Sequence, residues 1–120
     1  MSGEISWQVE LAVKPGQLDN FRALTHEMVE STKSEQGVLV YERFVSDDGN
    51  VVHLYERYAG SGAAMAHLLA FAKNYGKRFL DMVDRKRFTV FGTPSNELRG
   101  ILDKFGATYY APFDGFSLVK

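Results

Sequence analysis

Residues 37–58 carry the sequence GVLVYERFVSDDGNVVHLYERY, in which two apolar runs flank a short polar segment. The β-branched and aromatic residues of both runs predict strands at about 38–46 and 51–58. Asp48 and Gly49 between them predict a two-residue hairpin turn of type I′, whose two central residues both need a positive φ. Such a turn fixes the register of the strands. The predicted cross-strand pairs are Phe44–His53, Glu42–Tyr55 and Tyr41–Glu56.

The segments on either side of this hairpin predict a strand and a helix before it and a helix and a strand after it. Alternation of apolar and polar residues indicates a strand, and apolar stripes at helical spacing indicate helices. Ser61 is the expected N-cap of the second helix, and Gly76 is expected to kink or split it. The resulting order predicts an α+β fold, the split βαβ sandwich. The predicted flanking elements are a strand at 5–13, helices at 17–34 and 62–83, and a strand at 86–92.

The chain from Thr93 onward predicts a C-terminal extension of this core. Pro94 suits the first turn of a short helix that ends near Phe105, and Gly106 suits its C-terminal cap. No linker or repeat interrupts the chain, so 120 residues suit one domain. The expected organisation is a core of about 5–92 and an extension of about 93–120, with short strands at 108–110 and 116–119.

Both faces of the predicted sheet carry apolar side chains, including Val40 and Phe44 on one face and Leu39 and Tyr41 on the other. Two helices cover only one face of a sheet, so the second face needs a partner. A second copy of the same sheet is the simplest partner. We therefore predict a homodimer in which two sheets pack face to face.

Composition narrows the classes of function. There are no cysteines, which excludes disulfides, thiolate nucleophiles and cysteine-bound metals and fits a cytoplasmic protein. A net charge of −1 gives no general attraction to nucleic acid, and no apolar run is long enough for a membrane span. The first residues, MSGEISWQVE, do not resemble a signal peptide. If the protein is an enzyme, the simplest site is an enclosed pocket with a few polar groups and no tightly held cofactor, so a small molecule is the expected partner.

The three histidines show no metal-binding spacing. His26 falls on the polar side of the first helix and is expected to be exposed. His53 shares a strand face with Tyr55 and Arg57, as part of either a buried hydrogen-bonded interface or a ligand pocket. His67 falls at the edge of the apolar stripe of the second helix, where it either packs structurally or lines a pocket.

Over residues 5 to about 92 the sequence resembles the antibiotic biosynthesis monooxygenase family of small dimeric oxygenases. The resemblance lies in the kind, order and spacing of several short motifs, including a Glu and a His eleven positions apart, here Glu56 and His67. Tyr58 departs from it, because the family often has Trp there. The motifs are Lys14-Pro15-Gly16, Glu35-Gln36-Gly37-Val38-Leu39-Val40-Tyr41-Glu42, Glu56-Arg57-Tyr58 and Ala66-His67-Leu68.

The resemblance implies a ferredoxin-like dimeric α/β barrel with a pocket between sheet and helices, and oxidation of a phenolic or quinol-like compound by molecular oxygen without a cofactor or metal. His67 is the implied catalytic base and His53 the reserve. The parity of the third strand is open, and His53 and Glu56 cannot both point into one pocket. The residues expected to bind the substrate are Trp7, Tyr41, Glu56, Phe71, Asn74 and Tyr75.

Two other functions remain open from the sequence. One is an isomerase of a small oxygenated metabolite, which needs no oxygen. The other is a non-catalytic dimer that binds a small molecule. Phe113 and Phe116 of the extension would favour the non-catalytic function if they filled the pocket.

Overall fold

The computed structural model describes residues 3–118. One open five-stranded sheet has the order β2-β3-β1-β4-β5, and helices pack on one of its faces. The ferredoxin-like prediction is confirmed, while the sheet of this single chain is not closed into a barrel. The elements are β1 (Ile5–Val13), α1 (Leu18–Thr32), β2 (Val38–Val45), β3 (Val51–Tyr58), α2 (Ser61–Asn74), α3 (Gly76–Met82), β4 (Val83–Phe91), α4 (Asn96–Leu102), a 3₁₀ turn (Asp103–Phe105) and β5 (Thr108–Tyr110).

The core lies between the helices and one face of the sheet. Every second residue of each strand points to that face. Trp7 of β1 pairs with Glu56 of β3 and with Val90 of β4, so these side chains share that face. The same parity places alternate residues of β1 in the core, which is why that strand alternates so regularly. The apolar stripe of α1 covers them, with its buried residues Phe21, Leu24 and Met28.

The hairpin between β2 and β3 has the predicted register but another turn type. Phe44 pairs with His53, Glu42 with Tyr55 and Tyr41 with Glu56. Gly49 is the residue of this turn with a positive φ, and its N–H donates to the carbonyl of Ser46 at 3.0 Å. The type I′ prediction is therefore wrong, because Asp48 keeps a negative φ and its carboxylate instead accepts from the backbone N–H of Asn50.

The second predicted helix is broken in two. Tyr75 separates α2 from α3 with φ −133° and ψ −16°, one residue before Gly76. β4 follows and runs from Val83 to Phe91, although the sequence predicts Val83 as the last residue of the second helix. Ser61 lies inside α2 and does not cap it, because its hydroxyl accepts from the backbone N–H of Ser95 at 2.9 Å.

The extension returns to the sheet along β4. Ser95 caps α4 through its hydroxyl, which accepts from the N–H of Leu98 at 3.1 Å, and Gly106 ends the 3₁₀ turn with φ 71°. β5 then pairs parallel to β4. Residues 116–118 form no strand, and position 119 of that predicted strand lies outside the described residues. No helix between residues 3 and 118 is long and apolar enough to cross a membrane.

The opposite face of the sheet is uncovered in the single chain and mixes apolar and charged side chains. Phe44 and Phe91 are exposed there, beside ion pairs of Glu10 with His53 at 3.6 Å and of Glu4 with Arg57 at 3.0 Å. The face-to-face homodimer stays a prediction.

Substitution of Gly37 provides a test of how tightly the connection before β2 is packed. It has φ 82°, and a Cβ atom there would lie 2.6 Å from the Cβ of Ala63. We expect Gly37→Ala to lower the free energy of unfolding by about 2–4 kcal/mol, from the strained backbone and the clash. Urea unfolding, followed by the fluorescence of the single tryptophan at one fixed protein concentration, measures this change.

The matched control is Gly62→Ala in α2, where a Cβ atom meets nothing within 4 Å. This change should leave stability unaltered or raise it by up to about 1 kcal/mol, since Ala favours helices over Gly. Equal stabilities of the two variants would contradict the packing described for Gly37.

Candidate functional site

A buried carboxylate, that of Glu56 on β3, lies at the centre of the core. It is 4% exposed and faces the helices, which decides the parity that the sequence left open. Three side chains of the sheet donate hydrogen bonds to it. The donors are Trp7 Nε1 to Oε1 at 2.8 Å, the Tyr58 hydroxyl to Oε1 at 2.5 Å and Arg43 Nη2 to Oε2 at 2.6 Å.

These partners keep Glu56 ionised inside the protein. Burial acts to raise the pKa of its carboxyl, but the charge of Arg43, the electrostatic interaction with His67 and the hydrogen bonds from Tyr58 and Arg43 outweigh it, so the pKa is lowered. Tyr58 shows the converse effect, because burial and the neighbouring carboxylate raise the pKa of its phenol. Tyr58 is therefore a fixed hydrogen-bond donor.

Arg43 is held flat against an aromatic ring. Its guanidinium carbon lies 3.3 Å from the ring centroid of Tyr41, two residues earlier on the same face of β2. Burial raises the pKa of Tyr41 to about 12. This stacking and the ion pair with Glu56 fix the guanidinium in one place.

His67 of α2 lies between two carboxylates. Its Nδ1 atom is 2.8 Å from Oε1 of Glu35, a residue of the α1–β2 connection, and its Nε2 atom is 3.8 Å from Oε1 of Glu56. The ring is 5% exposed and makes an edge contact with Tyr41, with 5.4 Å between ring centroids. A carboxylate only accepts hydrogen bonds, so Glu35 favours the tautomer with hydrogen on Nδ1 and a lone pair on Nε2.

A cavity of about 40 Å³ adjoins His67 and Glu56. Apart from Arg43, Glu56, His67 and Arg85, its wall consists of apolar and aromatic side chains. Arg85 of β4 contacts the rings of Phe79 and Phe105, and no carboxylate within residues 3–118 pairs with it. Burial lowers the pKa of this guanidinium, which stays a cation. The other wall residues are Trp7, Val9, Met28, Tyr41, Leu54, Leu68, Phe71, Phe79, Phe88 and Phe105.

The structure brings most of the predicted site residues together. Trp7, Tyr41, Glu56, His67 and Phe71 line the cavity. The last two expected substrate-binding residues, Asn74 and Tyr75, line a narrow crevice beside it, on the side of Glu35 and His67.

His53, the reserve catalytic residue, does not join this group. It is exposed on the opposite face of the sheet, where Glu10 is its charged neighbour. Successive residues of a strand point to opposite faces, so the inward Glu56 places His53, three positions earlier, outward.

The extension contributes to the cavity wall through a residue that sequence reasoning did not single out. Phe105 of the 3₁₀ turn stacks on Phe88, with ring centroids 5.5 Å apart. Phe113 and Phe116 do not fill the cavity, since both are almost fully exposed.

Among the described residues, no group of three or more His, Asp or Glu side chains is arranged to hold a metal ion. The polar groups at the cavity are thus one imidazole, one paired carboxylate and two guanidinium groups. This arrangement suits removal of a proton from a bound molecule and stabilisation of the resulting anion.

A comparison with protein-family models matches residues 5–70 to the family described as "Antibiotic biosynthesis monooxygenase". The matched segment spans more than half of the chain. The chain belongs to the antibiotic biosynthesis monooxygenase family. No curated protein matches the sequence.

Solved structures share the fold of this family member. MupZ from Pseudomonas fluorescens has a TM-score of 0.85 and 22% identity, over 95% of this chain and 93% of that chain. Its coverage includes the extension. SnoaB, a cofactor-independent oxygenase from Streptomyces nogalater, has a TM-score of 0.67 and 11% identity, over 79% and 97%. Rv0793 from Mycobacterium tuberculosis has a TM-score of 0.58 and 23% identity, over 78% and 97%.

Replacement of Glu56 tests the role of the buried charge in this family member. Glu56→Gln leaves Arg43 without a counter-ion in the core, and we expect a loss of about 3–5 kcal/mol in the free energy of unfolding. Urea unfolding at pH 7 measures it, and the double variant Arg43→Met/Glu56→Gln should recover part of the loss. A double variant less stable than the single one would contradict this account.

The stability difference between the wild type and Glu56→Gln should also depend on pH. The folded pKa of Glu56 is lowered, so its contribution is present above the ordinary value of 4.5 and is lost as the pH falls through the folded value. The difference in stability between wild type and Glu56→Gln should therefore shrink below about pH 4.5.

Proposed function

We propose that this protein is a monooxygenase that takes a proton from a phenolic or quinol-like molecule at His67 and lets the resulting anion react with molecular oxygen. The observation that carries the proposal is the position of His67, whose Nδ1 atom is held by Glu35 at 2.8 Å while the ring lines the cavity. Family membership supports an oxygenase, and the fold shared with SnoaB supports one that needs no cofactor.

The first step of the proposed reaction is general base catalysis. The lone pair on Nε2 accepts the proton of the substrate, and the imidazolium that forms lies between the carboxylates of Glu35 and Glu56. Both carboxylates stabilise the positive charge, as an acidic residue beside a catalytic histidine does in hydrolases.

We assign to Arg85 the stabilisation of the substrate anion. Arg43 also lines the cavity, but Glu56 already neutralises it at 2.6 Å. Arg85 carries a positive charge that no carboxylate of the described chain neutralises, in the part of the wall formed by Phe79 and Phe105. In such surroundings a fixed cation stabilises a developing phenolate or enolate more strongly than it does in water.

The second step transfers electrons from the substrate anion to molecular oxygen. For a CH₂ carbon conjugated to the phenol, one oxygen atom becomes the carbonyl oxygen of the product. The other leaves as water with the two hydrogen atoms of that carbon. His67 removes one of these hydrogens as the proton of the first step and returns it to the departing oxygen. The substrate is oxidised by four electrons in all and dioxygen is reduced by four, so no external reductant enters the balance.

Access to the site requires movement of side chains. A cavity of about 40 Å³ holds water-sized molecules and is far smaller than an aromatic substrate. The partly exposed wall residues are the ones free to move, and they include Phe71, Arg85 and Phe105. The substrate therefore opens the cavity as it binds.

An isomerase shares the first step and differs in the second. It returns the proton to another atom of the substrate and needs no oxygen. The electron-rich aromatic wall and the family match favour the oxygenase.

Oxygen uptake by the purified, cofactor-free protein with a panel of quinols, anthrones and catechols tests the proposal. His67→Ala should lower kcat by about 10²–10⁴, the contribution of a positioned general base. His53→Ala, on the opposite face, is the matched control and should retain the wild-type rate. Turnover that proceeds equally without oxygen would establish the isomerase, and equal rates of His67→Ala and wild type would refute the assigned base.

Glu35 is a positioning residue that sequence reasoning missed, and it gives a second test. Glu35→Gln keeps the size of the side chain and removes the charge beside the imidazole, so kcat should fall by at least about tenfold with a smaller change in KM.

The control for this change is Glu30→Gln, an exposed residue of α1 paired with Lys33. Its kcat and its KM should match the wild type. A Glu35→Gln enzyme that keeps the wild-type kcat would refute the positioning role, and equal proportional changes in kcat and KM would indicate a structural role only.

A further inference from the structure

Arg43 also lines a second concavity, which lies between α1 and the outer strand β2 and is called here the α1–β2 groove. Its volume is about 320 Å³, against about 40 Å³ for the cavity at His67. Sites for small molecules range from roughly 300 to 1,000 Å³, so the groove has the size of such a site. Its apolar wall consists of Leu18, Phe21, Val29, Phe44, Val45 and Val52.

Two polar atoms of this groove have no protein partner. Among residues 3–118, Thr25 Oγ1 and Arg43 Nε are the buried side-chain atoms without a hydrogen bond, and both residues line the groove. The side chain of Arg43 is 10% exposed. A buried polar atom without a partner is costly, and an Arg Nε–H can only donate. Each of these atoms can donate to an oxygen of a ligand, since the threonine hydroxyl is also a donor.

The charge of the groove comes from one cation. Arg22 lines the groove, the charge of Arg43 is paired with that of Glu56, and the wall contains no Asp or Glu side chain within the described residues. An oxygen ligand that carries a negative charge is therefore favoured over a neutral one. The apolar wall suits a hydrocarbon body attached to that group.

We propose that the α1–β2 groove binds a small amphipathic carboxylate. Its carboxylate accepts hydrogen bonds from the Thr25 hydroxyl and from Arg43 Nε, and its hydrocarbon part packs against Val29, Val45 and Val52. The site is separate from the assigned base, and the binding needs no turnover. The groove also adjoins the Arg43–Glu56 ion pair, so an occupant contacts the group that holds the buried carboxylate.

Octanoate and its neutral counterpart octan-1-ol are the probes. We expect octanoate to bind saturably at one site and to shift the methyl resonances of Val29, Val45 and Val52 in nuclear magnetic resonance spectra. Octan-1-ol should bind at least about tenfold more weakly, because it lacks the charge. Equal affinity for both probes, no saturable binding, or shifts confined to Leu54 and Leu68 of the inner cavity would overturn the proposal.

Thr25→Val removes the hydroxyl at nearly constant volume and should weaken octanoate binding about three- to tenfold. Thr89→Val, on the opposite face of the sheet, is the matched control and should leave binding unchanged. Undiminished binding by Thr25→Val would overturn the assigned contact. A second copy of the chain seated in the groove would protect the Val45 methyls without ligand and exclude octanoate, which would also overturn the proposal.

Discussion

The rest of the site depends on one ionised carboxylate in the core. Taking a charge out of water costs several kcal/mol, so the protein must surround Glu56 with donors and a counter-ion. Trp7 and Tyr58 supply the donors and Arg43 the counter-ion, each from a strand next to Glu56 or from its own strand. The sheet thus supplies three hydrogen-bond donors to this carboxylate without any residue of a helix. The helices then only have to bring the imidazole of His67 to a preformed anion.

Two segments distant in sequence converge on that imidazole. Glu35 lies in the connection between α1 and β2, and His67 lies 32 positions later on α2. The crossover of the split βαβ unit places the end of α1 beside the first half of α2, so the fold itself forms the carboxylate–imidazole pair. Gly37 contacts Ala63 in the same region, which holds the two segments close. The packing of Gly37 and the position of the His67 ring therefore depend on the same contact between the two segments.

The local sequence pattern predicted the strands and helices of the core. The turn type and the helix cap depended on hydrogen bonds that this pattern does not contain. Alternation and apolar stripes located the strands and helices of the core, and the hairpin register followed from its loop length. The turn type failed because Asp48 gains more from its own hydrogen bonds than from a positive φ, and Ser61 failed as a cap because Ser95, 34 positions away, uses its hydroxyl. Periodicity does not encode such long-range partners.

Long-range contacts also limited how much of the candidate functional site could be predicted from the sequence. His67 and Glu56 stood out because their spacing resembles the family pattern, but Arg43 reads as an ordinary strand residue until its parity with Glu56 is known. Arg85 gave no signal either, because an irregularity in the pairing of β1 with β4, next to Leu11, turns it toward the core. Arg85 has aromatic rings and no carboxylate of the described chain as its neighbours, so no complementary charge in the sequence marks its position. The groups hardest to predict from sequence are thus those whose direction depends on strand parity and on irregularities in strand pairing.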